Sequence, residues 1–272
     1  MDYFIKVDIN NLRTLDKDLL PERLAPINYY AFEEEGDSLY AYIKEVDFNE
    51  AELKNTLPPN SDYSIEKIAE ENWNTKWEAG FSPIKINDFV AVRAKFHPDV
   101  KGVKFNLIIT PKMSFGTGHH ATTFMMIQAM EHIDFINKNV IDFGAGTGVL
   151  AILAEKMGAV EVLAVDNDKW SIENIIENIE VNNNENIKVM LAESIPGENK
   201  ADIILANITL NVLSTSSENI YNSLDQKGYL LVSGFIQEHE PAIDAIFLKS
   251  DYFKKITSYE HEKWACILYN KS

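Results

Sequence analysis

Hydrophobic and polar positions alternate with different periods in the two parts of the chain. In the N-terminal part, apolar residues recur at every second position in three short runs, which predicts strands. These runs are Tyr3–Ile9, Ile27–Glu34 and Ser38–Val46. The pattern also predicts helices at Asn11–Arg23 and Asn49–Leu57 and a fourth strand at Asp62–Ile68. The order βαββαβ is that of a ferredoxin-like split unit, so we predict a small α+β domain at residues 1–60.

From residue 86 onward, short apolar runs alternate with helical patterns. The predicted strands are Phe89–Lys95, Phe105–Thr110, Val140–Phe143, Glu161–Val165, Ile187–Leu191, Ile203–Ala206 and Gly228–Ser233. The predicted helices are Thr122–Ile133, Val149–Met157, a segment with the stripe Ile172, Ile175, Ile176 and Ile179, Leu210–Leu224, and Glu240–Lys249. Such alternation predicts a doubly wound, Rossmann-like α/β sheet in residues 86–272. Two final runs, Phe253–Tyr259 and Lys263–Tyr269, predict an antiparallel hairpin at one edge.

Residues 61–85 are predicted to link the two domains. Ile65–Lys76 has a partly helical pattern, which places Trp73 and Trp77 four residues apart on one face. We interpret the two indoles as burying a seam between the domains rather than forming a ligand site.

The charge of the chain limits its partners. The 272 residues carry 42 acids against 25 lysines and arginines, a net charge of −17. An acidic surface repels phosphate backbones, so no direct binding to nucleic acid is expected. The N-terminal 60 residues hold 13 acids and 6 bases, which makes them the more acidic part per residue.

The cysteine content, the N-terminal sequence and the lengths of the apolar runs predict the cellular compartment. Its single cysteine, Cys266, excludes an intramolecular disulfide. The N-terminus has no signal-peptide pattern, and no apolar run approaches the roughly 20 residues needed to cross a bilayer. We therefore expect a cytoplasmic protein that does not insert into a membrane.

The strongest chemical signal is a glycine-rich loop between a predicted strand and a predicted helix. It reads Asp142-Phe143-Gly144-Ala145-Gly146-Thr147-Gly148. A dinucleotide fingerprint, G-x-G-x-x-G, would need glycine where Val149 stands, which argues against the alternative of a nicotinamide-dependent oxidoreductase. Asp166 ends the next predicted strand, 18 residues after Gly148. A carboxylate there can accept both hydroxyls of a ribose, so the pattern favours a nucleoside ligand.

This constellation resembles the class I S-adenosylmethionine-dependent methyltransferases. In that family the loop holds the methionine and sugar part of the cofactor, and the acid holds the ribose. The family's seven-stranded sheet also ends in an antiparallel hairpin. By the same resemblance, Glu193 lies where such enzymes often contact adenine.

A second motif precedes the glycine-rich loop. Met113–Thr123 reads MSFGTGHHATT, which alone predicts a loop and a helix N-cap at Thr122 or Thr123. His119 and His120 are adjacent and lack a pattern of nearby cysteines or acids, so no metal site is expected. Beside the glycine-rich loop, the motif resembles the PrmA family, bacterial methyltransferases of the large-subunit ribosomal protein numbered eleven. Three further segments share the resemblance: Glu71-Asn72-Trp73, Phe81–Ile84 and Ala206-Asn207-Ile208.

The resemblance implies the cofactor, the reaction and the site residues. The implied cofactor is S-adenosylmethionine, and the implied acceptors are lysine side chains and the N-terminal amine of one ribosomal protein. The implied cofactor-binding residues are Phe115, Thr123, Gly144, Gly146, Asp166 and Asn207. Asn207 lacks the following Pro-Pro-aromatic sequence of enzymes that methylate amides or bases. No general base is assigned, since either histidine could relay protons or anchor the loop.

The implied partner is a basic large-subunit ribosomal protein, gripped by the acidic N-terminal domain, with the enzyme acting as a monomer. Two alternatives remain open at this stage. One is methylation of another protein amine or of a small-molecule amine. The other is a non-catalytic interaction module that retains a methyltransferase fold.

Overall fold

The protein was analysed as a computed structural model. It describes residues 3–10, 12, 20–21, 23–35, 38–59, 61–69, 82–110, 118, 120–249 and 252–272. The chain divides into two compact units, Met1–Phe81 and Ser82–Ser272. None of the helices in these ranges is both long and apolar enough to cross a bilayer.

The first unit contains a four-stranded antiparallel sheet. Its strands are β1 (Tyr3–Asn10), β2 (Ala31–Glu35), β3 (Ser38–Lys44) and β4 (Asp62–Ala69). They lie in the order β2-β3-β1-β4, which is the order of a ferredoxin-like split unit. Alternate residues of β1, Ile5, Val7 and Ile9, are buried against the core, as the two-residue period predicts. Helix α1 (Glu50–Thr56) begins at Asn49, whose side chain accepts hydrogen bonds from two backbone N–H groups of its first turn.

The structure confirms the fourth predicted strand in this unit and changes two overlapping or neighbouring predictions. Strand β4 matches the strand predicted at Asp62–Ile68, and it overturns the helical pattern over residues 65–69, because β4 pairs with β1 along its whole length. The strand predicted from Ile27 begins at Ala31, after a short 3-10 turn and a left-handed Asn28. Of the helix predicted at Asn11–Arg23, residues 12, 20–21 and 23 are described; Leu12 is not helical, and the other three residues are.

The proposed domain limits of 1–60, 61–85 and 86–272 stay a prediction. Strand β4, which they place in the linker, belongs to the first sheet. Trp73 and Trp77 lie outside the described residues.

The second unit is built on a seven-stranded sheet in the order β10-β9-β8-β11-β12-β14-β13. The strands are β8 (Asn139–Phe143), β9 (Glu161–Asp166), β10 (Ile187–Leu191), β11 (Ala201–Asn207), β12 (Leu224–Ile236), β13 (Phe253–His261) and β14 (Trp264–Lys271). β14 runs antiparallel to both of its neighbours, and the other pairings are parallel. The predicted doubly wound sheet with an antiparallel edge hairpin is confirmed.

Helices cover both faces of this sheet. They are α2 (Ala121–Met130), α3 (Val149–Lys156), α4 (Lys169–Asn182), α5 (Leu210–Ser223) and α6 (Glu240–Phe247). The first three pack on the face that carries Val140, and the last two on the face that carries Ile141. Because both faces are buried, the central strands are apolar at successive positions, which is typical of parallel sheets. A second sheet, β5 (Ile84–Ile86), β6 (Val90–Arg93) and β7 (Phe105–Ile108), precedes α2, and its first strand was not predicted.

Candidate cofactor site

Those predicted site residues that the structure describes gather at one edge of the seven-stranded sheet. The glycine-rich loop follows β8, Asp166 ends β9 and Asn207 ends β11. β8 lies between β9 and β11, and the chain order reverses between β8 and β11. In open α/β sheets, ligands bind outside the carboxyl ends of the strands at such a switch point.

The glycine-rich loop has a backbone that only glycine adopts easily. Gly144, Gly146 and Gly148 have φ angles of 77°, 57° and 77°. The Gly144 N–H donates to the Val165 carbonyl oxygen at 2.8 Å, which fixes the loop to β9. A Cβ at Gly144 would lie 2.2 Å from Cγ2 of Ile208, so a side chain there would collide with the segment after β11. The loop therefore presents bare backbone next to the ends of two strands.

Asp166 is joined to the glycine-rich loop by a direct hydrogen bond. Its Oδ2 accepts from the Gly146 N–H at 2.8 Å, and its Oδ1 accepts from the Asp168 N–H at 2.9 Å. The side chain is buried, with 8% of the residue exposed. Each carboxylate oxygen has a further lone pair, so Asp166 can accept two more hydrogen bonds while keeping these two. That capacity suits the two hydroxyls of a ribose.

Thr123 and Asn207 meet although 84 residues separate them. The Asn207 Nδ2 donates to the Thr123 Oγ1 at 3.2 Å, and Thr123 is fully buried in the first turn of α2. Among the described residues, the buried Oδ1 of Asn207 has no hydrogen-bond partner. A buried acceptor without a partner is costly, so its orientation fits a ligand that carries a donor, such as an amino group.

Asp142 is a site feature to which sequence analysis assigned no role. Its Oδ2 accepts from the Ala151 N–H at 3.0 Å, in the first turn of α3, and its Oδ1 has no partner in the described part of the chain. The pKa of this carboxyl is raised to about 7, mainly by complete burial; the hydrogen bond from Ala151 opposes the shift, and the nearby charge of Asp166 adds to it. Asp142 and Asp166 therefore have different environments within one site. Asp142 has one carboxyl oxygen without a partner among the described residues, while both carboxylate oxygens of Asp166 accept backbone hydrogen bonds.

Replacing Asp142 with asparagine should flatten the pH dependence of stability. The native carboxyl keeps its proton up to about pH 7, while the unfolded carboxyl releases it near its ordinary pKa of 3.8. Folding therefore takes up a proton between these pH values, so the free energy of unfolding falls as pH rises through the window. We expect a shallower fall for D142N in denaturant titrations of the cofactor-free protein. D88N, which changes an exposed carboxyl, should keep the wild-type slope.

His120, and not a threonine, caps helix α2. Its Nδ1 accepts from the Thr122 N–H at 3.3 Å and lies 2.7 Å from the Thr122 Oγ1. The imidazole packs edge-on against Trp264 at 4.6 Å, and burial lowers its pKa. The prediction of a cap at Thr122 or Thr123 was wrong, because the imidazole acceptor of His120, two and three residues earlier, takes that position. These contacts support the anchoring role for His120.

Helix α4 buries a polar stripe beside the predicted apolar one. Of the predicted isoleucines, Ile175 is fully buried and Ile172 and Ile179 are partly buried against the same core, but Ile176 is 45% exposed. Asn174, Asn178 and Asn182 are buried beside Ile175. Their spacing of four residues is visible in the sequence and was the available signal for a buried polar face.

The remaining predicted positions give less information. Phe115 and His119 lie outside the described residues. Glu193 is exposed just after β10, and its role stays a prediction. Across the described ranges, no cluster of three or more histidines, cysteines or acids could hold a metal ion.

Comparisons with known proteins show the family of the chain. The family model described as "Ribosomal protein L11 methyltransferase (PrmA)" matches residues 7–272. Ribosomal protein L11 methyltransferases of Porphyromonas gingivalis and Chlorobaculum tepidum are 38% and 36% identical to the chain. The first alignment covers 83% of this chain and 81% of the relative, and the second covers 91% of each.

A solved structure shares the fold. It is that of the ribosomal protein L11 methylase from Lactobacillus delbrueckii subsp. bulgaricus, at 24% identity and a TM-score of 0.65. The match covers 70% of this chain and 99% of the other. With the family model matched over nearly all of the chain, these findings place it in the ribosomal protein L11 methyltransferase (PrmA) family, whose members depend on S-adenosylmethionine.

Proposed function

We propose that the chain transfers methyl groups from S-adenosylmethionine to amines of ribosomal protein L11, namely lysine side chains and the N-terminal amine. The observation that carries the proposal is the family match over residues 7–272, together with the intact polar contacts of the site. Family membership also favours methyl transfer over the nicotinamide-dependent alternative. The alternative to be tested is that the acceptor is an amine of another protein or of a small molecule, and not of L11.

The described residues fit the cofactor at two places. Asp166 would accept the ribose hydroxyls, and Gly144 and Gly146 would let the ligand approach the backbone. Asn207 donates through its Nδ2 to Thr123, and its Oδ1, which has no hydrogen-bond partner in the described part of the chain, would accept a donor of the methionine end. Phe115 would flank the same pocket.

When bound, the cofactor supplies a methyl group already activated by its sulfonium, so the chain needs to place the substrate's amine and provide surroundings that favour its neutral form. Placement of amine and methyl group in a near-attack arrangement can supply most of the acceleration. A lysine with a pKa of about 10.4 must lose its proton before it attacks. Exclusion of water at the sheet edge penalises the charged amine and lowers that pKa. We assign no general base.

The acidic N-terminal domain would hold the substrate. Its first 60 residues carry 13 acids and 6 bases, which complements a basic ribosomal protein and steers its approach. In this proposal the enzyme works in the cytoplasm as a monomer and makes no direct contact with nucleic acid.

Intact-mass spectrometry of purified L11, incubated with the protein and S-adenosylmethionine, tests the proposal. We expect a ladder of methyl-sized increments that needs both components, and fragment spectra that place the methyl groups on lysines and the N-terminus. L11 with its amines acetylated beforehand is the matched control and should gain no mass. An unmodified L11, in a sample where the cofactor binds, would overturn the substrate. Increments that persist after acetylation would overturn the amine as acceptor.

A further inference from the structure

The buried asparagines of α4 connect this helix to two other parts of the second unit. Asn178 is fully buried and Asn182 is 6% exposed. Asparagine is seldom buried unless its amide is hydrogen-bonded. Each of these two amides has hydrogen-bond partners within α4 and also backbone partners in other segments.

Asn178 makes hydrogen bonds in two directions. Its Oδ1 accepts from the Thr110 N–H at 2.8 Å, and its Nδ2 donates to the Thr147 carbonyl oxygen at 2.8 Å. The same Nδ2 also donates to the Asn174 Oδ1 at 2.9 Å. Thr110 lies just after β7, three residues before the Met113–Thr123 motif, and Thr147 lies in the glycine-rich loop. One carboxamide therefore joins the segment at the end of β7, which leads into that motif, to the glycine-rich loop.

Asn182 is bound to only one of those segments. Its Oδ1 accepts from the Ile108 N–H at 2.9 Å, and its Nδ2 donates to the Ile108 carbonyl oxygen at 2.5 Å and to the Asn178 carbonyl oxygen at 2.8 Å. Its side chain pairs with both the N–H and the carbonyl oxygen of Ile108, as a neighbouring strand would. Among the described residues, its side-chain hydrogen bonds do not reach the glycine-rich loop. Asn182 thus offers a matched comparison for Asn178.

We propose that Asn178 is a positioning residue for cofactor binding, because its amide holds the glycine-rich loop in register with the segment that enters the Met113–Thr123 motif. It acts through the backbone at Thr147 and Thr110 and not by touching the cofactor. The inference rests on the cofactor site of the proposed function, but it does not depend on the identity of the methyl acceptor.

The test compares N178A with N182A. Each variant leaves buried backbone groups unpaired, so both should melt at a lower temperature than the wild type. N178A should also weaken binding of S-adenosylhomocysteine by about tenfold in calorimetry, since it removes the hydrogen bond that ties the Thr147 carbonyl of the glycine-rich loop to α4. N182A should change this affinity less than twofold. A purely structural role would give equal affinity losses in the two variants, or none, and either result overturns the proposal.

A second variant covers the case in which N178A does not fold. N178D keeps an acceptor for the Thr110 N–H and nearly the same volume, but it loses the donor to Thr147. It should show the weaker binding together with faster amide exchange in the glycine-rich loop, and wild-type exchange and affinity would overturn the proposal. Because the readout is cofactor affinity, failure to methylate L11 would leave this result standing. A wild-type protein that does not bind S-adenosylhomocysteine would overturn both.

Discussion

Replacing Asp166 with alanine should weaken S-adenosylhomocysteine binding by about 100-fold, since hydrogen bonds to a charged group contribute about 1.5–3 kcal/mol each. The carboxylate has two functions in the proposed site. It would accept the ribose hydroxyls, and it already holds the Gly146 and Asp168 N–H groups. D166N should be nearly as damaging, because its amide nitrogen would face one of those two N–H donors. Isothermal calorimetry on the full chain measures the loss directly.

Asp168 offers a control two residues away. Its carboxylate caps α4 by accepting from the Trp170 and Ser171 N–H groups. D168A should cost about 1 kcal/mol of stability, typical of a lost N-cap, and leave cofactor affinity close to wild type. Equal affinity losses in D166A and D168A would mean that Asp166 acts only through the fold, and unchanged affinity in D166A would contradict its ribose role.

The parts of the site that sequence analysis found are those encoded by short-range patterns. A glycine spacing between a strand and a helix, and an acid at the end of the next strand, mark Gly144, Gly146 and Asp166 within about 25 residues. Their register follows from the parallel sheet, because the carboxyl ends of adjacent strands meet at one edge. The hydrogen bond between Gly146 and Asp166 is the outcome of that rule.

The parts that it missed depend on distant partners. Asn178 and Asn182 can be buried because backbone N–H groups far away in the sequence bind their side chains. These are the N–H groups of Thr110 and Ile108, which lie 68 and 74 residues earlier in the chain. A helical period predicts which residues share a face, but it does not say whether that face meets side chains or backbone. Residues 65–69 carried two overlapping predictions, a strand and a helix, and the strand formed because β1 offers an edge to pair with.

Gly234 shows how a glycine far from the loop supports the same site. It follows Ser233, where β12 shifts register against β14, and its φ is 98°. The Ile208 N–H donates to the Ser233 carbonyl oxygen at 3.1 Å, which brings the backbone of Ile208 directly over Gly234. A Cβ at Gly234 would lie 2.3 Å from the Ile208 carbonyl oxygen. The Ile208 side chain also packs against Gly144. A shift of the backbone at Gly234 would therefore move Ile208, and with it Asn207 and the glycine-rich loop.

We therefore expect G234A to be strongly destabilising. The backbone conformation alone costs about 1–3 kcal/mol for a residue with a side chain, and the collision with rigid backbone adds to it. G197A is the control, because a Cβ at Gly197 would meet no atom within 4 Å, so it should stay within about 0.5 kcal/mol of wild type. Denaturant titration measures both variants, and calorimetry on any folded G234A protein should show weakened cofactor binding. A G234A protein as stable as G197A would mean that the segment after β11 moves freely away from β12, and the packing of Ile208 would then have no part in shaping the site.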